Sequence, residues 1–333
     1  MSCERFHFPM PSQLSSTSVA RTFMPRTRRA WLAGALAAGL AGRVRAGEPE
    51  DAGVAEVAGR LREVGLGEPR VQRTGRFVGV GDASDRFIKL TLRDCEATAA
   101  DYYGHYRAKG FAVDPPKGRL VVVALAEDRS FARYLGADPG SAIGGVYEKK
   151  TNRLVVFDYR PSGPQAPLRP GYANLLCLAH EVGHQLAFNT GLLDREGDAP
   201  LCVVEGLAMY GEVRKFDGPS PPGALNTIRL EDMARIRRAG TPWIATERLL
   251  ADDRILRGAA GGGALLLGYG QSWLLIHHLM KTSPDRLRDY LAAIRPRRDP
   301  SARLEDARAH FGDLQALDEE LKRLTIRLLK AGR

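Results

Sequence analysis

Five consecutive residues, His180-Glu181-Val182-Gly183-His184, place two imidazoles and a carboxylate at spacings suited to a single divalent ion. On a helix, positions i and i+4 share a face, so both rings reach one point while the glutamate lies beside it, facing water held by the ion. Zinc hydrolase sites have this geometry, and they need a third protein ligand and an open fourth position. The run Leu-Cys-Val-Val-Glu-Gly-Leu-Ala-Met-Tyr-Gly-Glu at 201–212 offers that ligand. Glu205 interrupts an otherwise apolar helix there, and a cation is one of the few partners that repays a buried carboxylate's desolvation. Twenty residues separate Glu205 from His184, enough for a loop to turn the chain back against the first helix. His180, His184 and Glu205 are therefore the expected Zn²⁺ ligands. Zinc lowers the pKa of bound water from 15.7 toward about 7, and Glu181 is placed to take the proton and return it to a leaving amine, which is peptide-bond hydrolysis.

The elements that must position these groups follow from periodicity. An amphipathic helix is expected at 50–64, strands at 77–80 and 87–92 joined as a hairpin, and a helix over 96–109 closed by Gly110. A buried strand at 120–125, a helix at 129–135 and a hairpin of 143–147 with 154–158 come next. From Tyr172 the pattern turns helical, with segments near 172–189, 200–215, 229–239, 268–281, 284–294 and 301–331. Strands followed by helices predict an α+β fold. Its sheet region, with flanking helices, covers 47–165, and its helical catalytic and C-terminal region covers 166–333.

The pairing of His-Glu-x-x-His with a downstream Glu205-Gly206-Leu207-Ala208 resembles the gluzincin branch of the MA clan of zinc metallopeptidases. A third histidine six residues after the second, the metzincin pattern, is absent, since Thr190 stands there. The chain is similar, more closely still, to a bacterial domain-of-unknown-function family of peptidase-MA-like proteins. That likeness rests on Thr91-Leu92-Arg93-Asp94-Cys95-Glu96-Ala97-Thr98, Leu154-Val155-Val156-Phe157-Asp158-Tyr159-Arg160, the two metal motifs, and Gln271-Ser272-Trp273-Leu274-Leu275. It implies a thermolysin-like zinc core, His180, His184 and Glu205 as ligands, Glu181 as general base and no settled substrate. Related enzymes place a Tyr or His from a later helix at the oxyanion, so Tyr269 is a catalytic candidate, with a plain packing role as its rival. Where thermolysin-like enzymes carry an Asp four residues after the third ligand, this chain has Met209.

Other residues have a bland reading beside a chemical one. Glu212, seven residues past Glu205, either supports a ligand or is a solvated surface glutamate, and the latter is the expectation. Cys177 and Cys202 each lie three residues before a ligand; thiolate ligation and a disulfide are open to them, with buried apolar cysteines the default. His277-His278 diverge on a helix and are expected not to share an ion; His105 and His310 are taken as surface or capping residues. Gly183 costs about 1 kcal/mol relative to Ala in a helix, which implies another element packed closely there. The 143–158 hairpin is a candidate cleft edge, able to add a substrate strand, or a purely structural one.

Charge and leader features complete the reading. The chain of 333 residues has a formal charge of +10, but residues 1–46 hold seven arginines and one glutamate, leaving 42 basic against 38 acidic residues beyond them. Thr27-Arg28-Arg29-Ala30-Trp31-Leu32, a weakly apolar Ala/Gly stretch and Val44-Arg45-Ala46 read as a twin-arginine export leader, with Met24 a candidate start. The stretch is too short for a stable membrane span. Arg235-Ile236-Arg237-Arg238 and Arg295-Pro296-Arg297-Arg298 lack interleaved aromatics, which speaks against a nucleic-acid surface. The expected protein is an exported, periplasmic or secreted zinc metallopeptidase acting on a peptide or protein. A non-catalytic zinc-binding module and a zinc amide or ester hydrolase on a non-protein substrate are the alternatives.

Overall fold

In the computed structural model, residues 5–9, 49–136, 143–159, 171–215 and 218–331 are described. Six strands occur among them: β1 (Arg5–Pro9), β2 (Arg70–Arg73), β3 (Phe77–Gly81), β4 (Leu120–Leu125), β5 (Ile143–Glu148) and β6 (Arg153–Phe157). They form one mixed sheet in the order β1-β5-β6-β4-β3-β2. Strands β3, β4 and β6 run parallel, while β2, β5 and β1 add antiparallel edges. The leader expected at 1–46 lies outside the described residues apart from β1, as does the 161–170 boundary.

Alternation at period two sorts the strand side chains between two layers of helix. Val78, Val80, Val121, Val123 and Val155 pack on α1 (Pro49–Glu63) and α3 (Asp128–Leu135). Phe77, Leu120, Val122, Leu154 and Val156 face α2 (Asp85–Ala108) and α4 (Tyr172–Asn189). The apolar core on this second side continues without interruption into α5 (Leu201–Gly211), α6 (Thr227–Arg238), α7 (Thr246–Ala251), α8 (Gly262–Thr282), α9 (Pro284–Ile294), α10 (Arg303–Phe311) and α11 (Leu314–Ala331). The architecture is thus α+β with a mixed sheet, as expected. Among the described residues no helix is long and apolar enough to cross a membrane.

Two expectations are corrected. Residues 87–92 are not a strand but the opening turns of α2, and the hairpin partner of β3 is β2. Ser84 caps the helix by accepting from the Phe87 amide at 3.2 Å. From there Ile88, Leu92, Cys95, Ala99, Tyr102 and Tyr106 are buried at helical spacing. Strand β2, Arg-Val-Gln-Arg, carries too little apolar signal to be noticed. The helix expected over 301–331 breaks at Gly312, whose φ of 77° suits glycine, and Asp313 caps the second piece by accepting from the Gln315 amide at 2.8 Å.

Helix α4 is tied to the sheet by polar contacts as well as apolar ones. Gln185 donates to the Val121 and Asn152 carbonyls at 3.1 and 3.2 Å. Asn189 and Asn152 exchange amide hydrogen bonds at 2.7 and 2.8 Å. Asn152 itself adopts a φ of 58° in the β5–β6 turn, a conformation Asn tolerates better than most residues. Helix α5 is the element packed at Gly183: a Cβ there would lie 3.2 Å from the Ala208 Cα. On the opposite side of α5, a Cβ at Gly206 would come within 2.5 Å of the Ser272 carbonyl oxygen of α8. Because that obstacle is backbone, Gly206→Ala must push α5 away from α8. It is expected to cost about 1–3 kcal/mol, lowering the melting temperature by several degrees; an unchanged melting curve contradicts the packing described.

Candidate metal centre

Helix α4 presents His180 and His184 one turn apart, with ring centroids 4.7 Å apart, and α5 brings Glu205 against them. The His180 and His184 Nε2 atoms lie 3.1 Å apart, and Glu205 Oε2 lies 3.2 Å from the first and 3.6 Å from the second. Three ligand atoms about 2.0–2.1 Å from a tetrahedral zinc would be separated by about 3.3 Å. The triangle fits that edge length. All three residues are buried, and their ligand atoms lie close enough together to hold one metal ion. Glu205 Oε2 accepts no hydrogen bond of good geometry from the described residues, although it is shut away from solvent between two imidazole nitrogens. Such an oxygen is costly to bury without a cation, and His₂Glu is a donor set that suits zinc.

The second nitrogen of His180 is held from behind. Glu212 Oε2 lies 3.0 Å from Nδ1, and Glu212 is itself gripped by Arg229 Nε at 2.9 Å, Arg229 Nη2 at 3.2 Å and the Asn226 amide at 2.5 Å. The expectation of a solvated surface glutamate is therefore wrong: Glu212 is 4% exposed and is the carboxylate that holds the His180 ring from behind. Arg229 and Asn226 were missed altogether. Asn226 caps α6 by accepting from the Arg229 amide at 3.2 Å, and an Asn before a helical run was a legible cap. Arg229 sits in the first turn of α6, where the helix dipole disfavours a cation. A cation in that place signals a carboxylate partner from elsewhere.

These contacts divide the two histidines electrostatically. Burial works against protonating His180, but Glu205 and Glu212 on its two nitrogens outweigh it and raise its pKa. His184 lacks the second carboxylate, and burial carries its pKa down. Burial opposes ionisation of Glu205 and Glu212 as well, yet His184 and His180 hold the former down to about 2, and Arg229 and His180 the latter. The carboxylates are charged, the condition for gripping a cation.

Glu181 stands beside the triangle, with Oε2 accepting from the Tyr147 amide of β5 at 2.7 Å. Tyr269 lies on α8, buried, with the Arg229 guanidinium 5.9 Å from its ring centre. Burial and the charge of Glu205 raise its hydroxyl pKa well above the ordinary value, so it stays protonated. His180 and Glu181 are 0% exposed, and His184 and Glu205 are 1% exposed. The centre is closed over in this conformation.

The remaining candidates separate from the site. Cys177 and Cys202 are free, buried thiols whose pKa values burial pushes up, and neither belongs to the metal-holding group. His277 packs at a tilt against Trp273, ring centroids 5.1 Å apart, and His278 reaches Glu320 at 3.2 Å. His310 donates to the Asp306 carbonyl at 2.8 Å. His105 is half-buried, not surface: its Nε2 lies 3.0 Å from the Tyr210 hydroxyl, and burial takes its pKa down to about 4. Of the two basic runs, Arg235, Arg297 and Arg298 are paired with Asp232, Asp306 and Asp194.

Replacing a ligand tests the triangle directly. His184→Ala is expected to reduce the bound metal from near one ion per chain to below about a tenth after dialysis, by elemental analysis. Full occupancy in that variant would place the ion elsewhere.

A family model described as "Protein of unknown function (DUF1570)" matches residues 174–301, the stretch from α4 to the turn before α10. His180, Glu181, His184, Glu205, Glu212, Arg229 and Tyr269 all fall within it. No curated protein matches the chain.

Proposed function

We propose that this chain is a zinc-dependent peptide hydrolase of gluzincin type, exported under the Arg28-Arg29 leader. The observation that carries the reading is the triangle of His180, His184 and Glu205, with edges of 3.1, 3.2 and 3.6 Å, in which both histidines share their helix with Glu181. Zinc held there supplies the Lewis acidity that polarises a scissile carbonyl and acidifies water.

The rest of the chemistry falls to the chain's own side chains. Glu181, steadied by the Tyr147 amide, takes a proton from the attacking water and hands it to the departing amine. Tyr269, protonated at neutral pH, donates to the developing oxyanion. Glu212 fixes the ring of His180, and Arg229 fixes Glu212. Because the four central side chains are at most 1% exposed, substrate enters only when a wall of the site moves.

That same burial favours a second reading, in which a closed metal site braces α4 against α5 and performs no catalysis. Hydrolysis of a mixed peptide library by wild type and Glu181→Gln, with zinc content measured in both, separates the two. Cleavage by wild type alone at equal zinc supports the enzyme. Equal turnover by both removes Glu181 from its role, and no turnover by either zinc-loaded protein supports the brace.

A further inference from the structure

A cleft of about 700 Å³ opens at the N-terminal end of α4, bounded by α2, the ends of β5 and β6, and the chain that follows α5. Its size is that of a small-ligand site. Four cations line it, Arg86, Arg93, Arg214 and Lys215, against two carboxylates, Asp94 and Asp158. Asp94 is taken up by Arg93 at 2.8 Å, and the Asn174 amide lies 3.4 Å from Asp158. Arg86 and Lys215 are exposed and form no ion pair among the described residues.

Arg214 is the unusual member. It is 5% exposed, and its Nη1 donates to the Ser220 carbonyl at 3.0 Å and pairs with Asp101 at 2.8 Å. Its buried Nε has no hydrogen-bond partner among the described residues. A buried guanidinium donor is expensive to leave unmatched, and an incoming carboxylate is the group that a guanidinium fork binds best. Phe87, Leu90 and Leu175 give the same cleft an apolar side. Apolar wall and excess positive charge together describe a residue with an aliphatic or aromatic side chain and a free carboxylate.

We infer that this cleft receives the C-terminal carboxylate of a peptide, with Arg214 and Lys215 as its anchors. The inference rests on the hydrolase reading and gives it a substrate class. Leu178 borders the cleft two residues before His180, and Gly144 borders it three residues before the Tyr147 that holds Glu181. The bond presented to the centre therefore lies near the C-terminus of the peptide. Water adds across that C–N bond: its oxygen completes a carboxylate on the N-terminal product, and its proton passes through Glu181 to the amine of the released C-terminal fragment.

The test uses zinc-loaded Glu181→Gln, which binds without turnover, and one hexapeptide ending in leucine, made as the free acid and as the C-terminal amide. The free acid is expected to bind at least about tenfold more tightly. That preference is expected to fall at least about threefold in Arg86→Gln/Lys215→Gln, which alters only exposed charges. It is also expected to fall in Arg214→Lys, which keeps a charge for Asp101 but lacks Nε. Equal binding of acid and amide overturns the cleft assignment, and cleavage of both by wild type then leaves the hydrolase reading standing. Preference for the acid with no cleavage by wild type does the reverse. Displacement of the hexapeptide by inorganic phosphate at equal concentration shows an anion site without peptide recognition and also overturns the inference.

Discussion

Glu181→Gln is expected to lower peptide hydrolysis by about 10²–10⁴-fold, the range lost when a positioned general base is removed, while bound zinc stays at the wild-type level. The substitution is nearly isosteric. A glutamine oxygen can still accept the hydrogen bond that the Tyr147 amide gives at 2.7 Å, so the link from α4 to β5 survives. What disappears is the capacity to take a proton near neutral pH. Single-turnover rates on any peptide that wild type cleaves, with zinc measured on the same samples, give the comparison. A rate within tenfold of wild type at equal zinc would mean that the proton moves through another group.

Glu212→Ala is expected to be the most damaging substitution outside the ligand triangle. It leaves Arg229, 2% exposed, without its carboxylate, and breaking one side of a buried pair costs about 3–5 kcal/mol. For a chain of this size that is about 10 °C in melting temperature. Loss of the carboxylate behind His180 is expected to weaken metal binding by a further 10–100-fold, roughly the effect of removing such a partner in other zinc sites. Melting in chelator isolates the first effect, and competition titration with a zinc indicator isolates the second. Glu212→Leu/Arg229→Met, which removes both charges, is expected to recover much of the stability and none of the metal affinity. Glu212→Ala melting within 2 °C of wild type in chelator would refute the network.

The same network sets an acid limit. Burial opposes the Glu212 charge, but Arg229 and His180 hold its pKa down to about 2, below the ordinary carboxylate value. A carboxylate with a depressed folded-state pKa contributes fully above its unfolded value and loses that contribution as pH falls through the folded one. Stability from Glu212 is therefore complete above about pH 4.5 and drains away toward pH 2. In Glu212→Ala this part of the acid sensitivity is expected to vanish.

What the sequence disclosed and what it hid divide along physical lines. The histidines declare themselves because helical spacing alone puts them together, and Glu205 because a charge inside an apolar helix demands a partner. The hairpin of β5 and β6 is equally local, two apolar runs around a polar turn. Residues 87–92 misled because Phe, Ile, Leu and Thr suit strand and helix alike; the deciding cap, Ser84, sits upstream, and the deciding burial comes from the sheet. Glu212 misled for a different reason. Its surroundings are made by Arg229, seventeen residues along the chain and on another helix, and nothing in its own neighbourhood announces that contact.

Strand β1 decides what the β5 flank of the sheet exposes. It pairs antiparallel with β5 through Arg5↔Glu148, Phe6↔Tyr147 and His7↔Val146, capping the flank of the sheet nearest Glu181. Were the chain cut after Ala46, as the proposed export would require, this strand would leave with the severed segment, and β5 would then offer a row of amides and carbonyls to whatever extended chain it met.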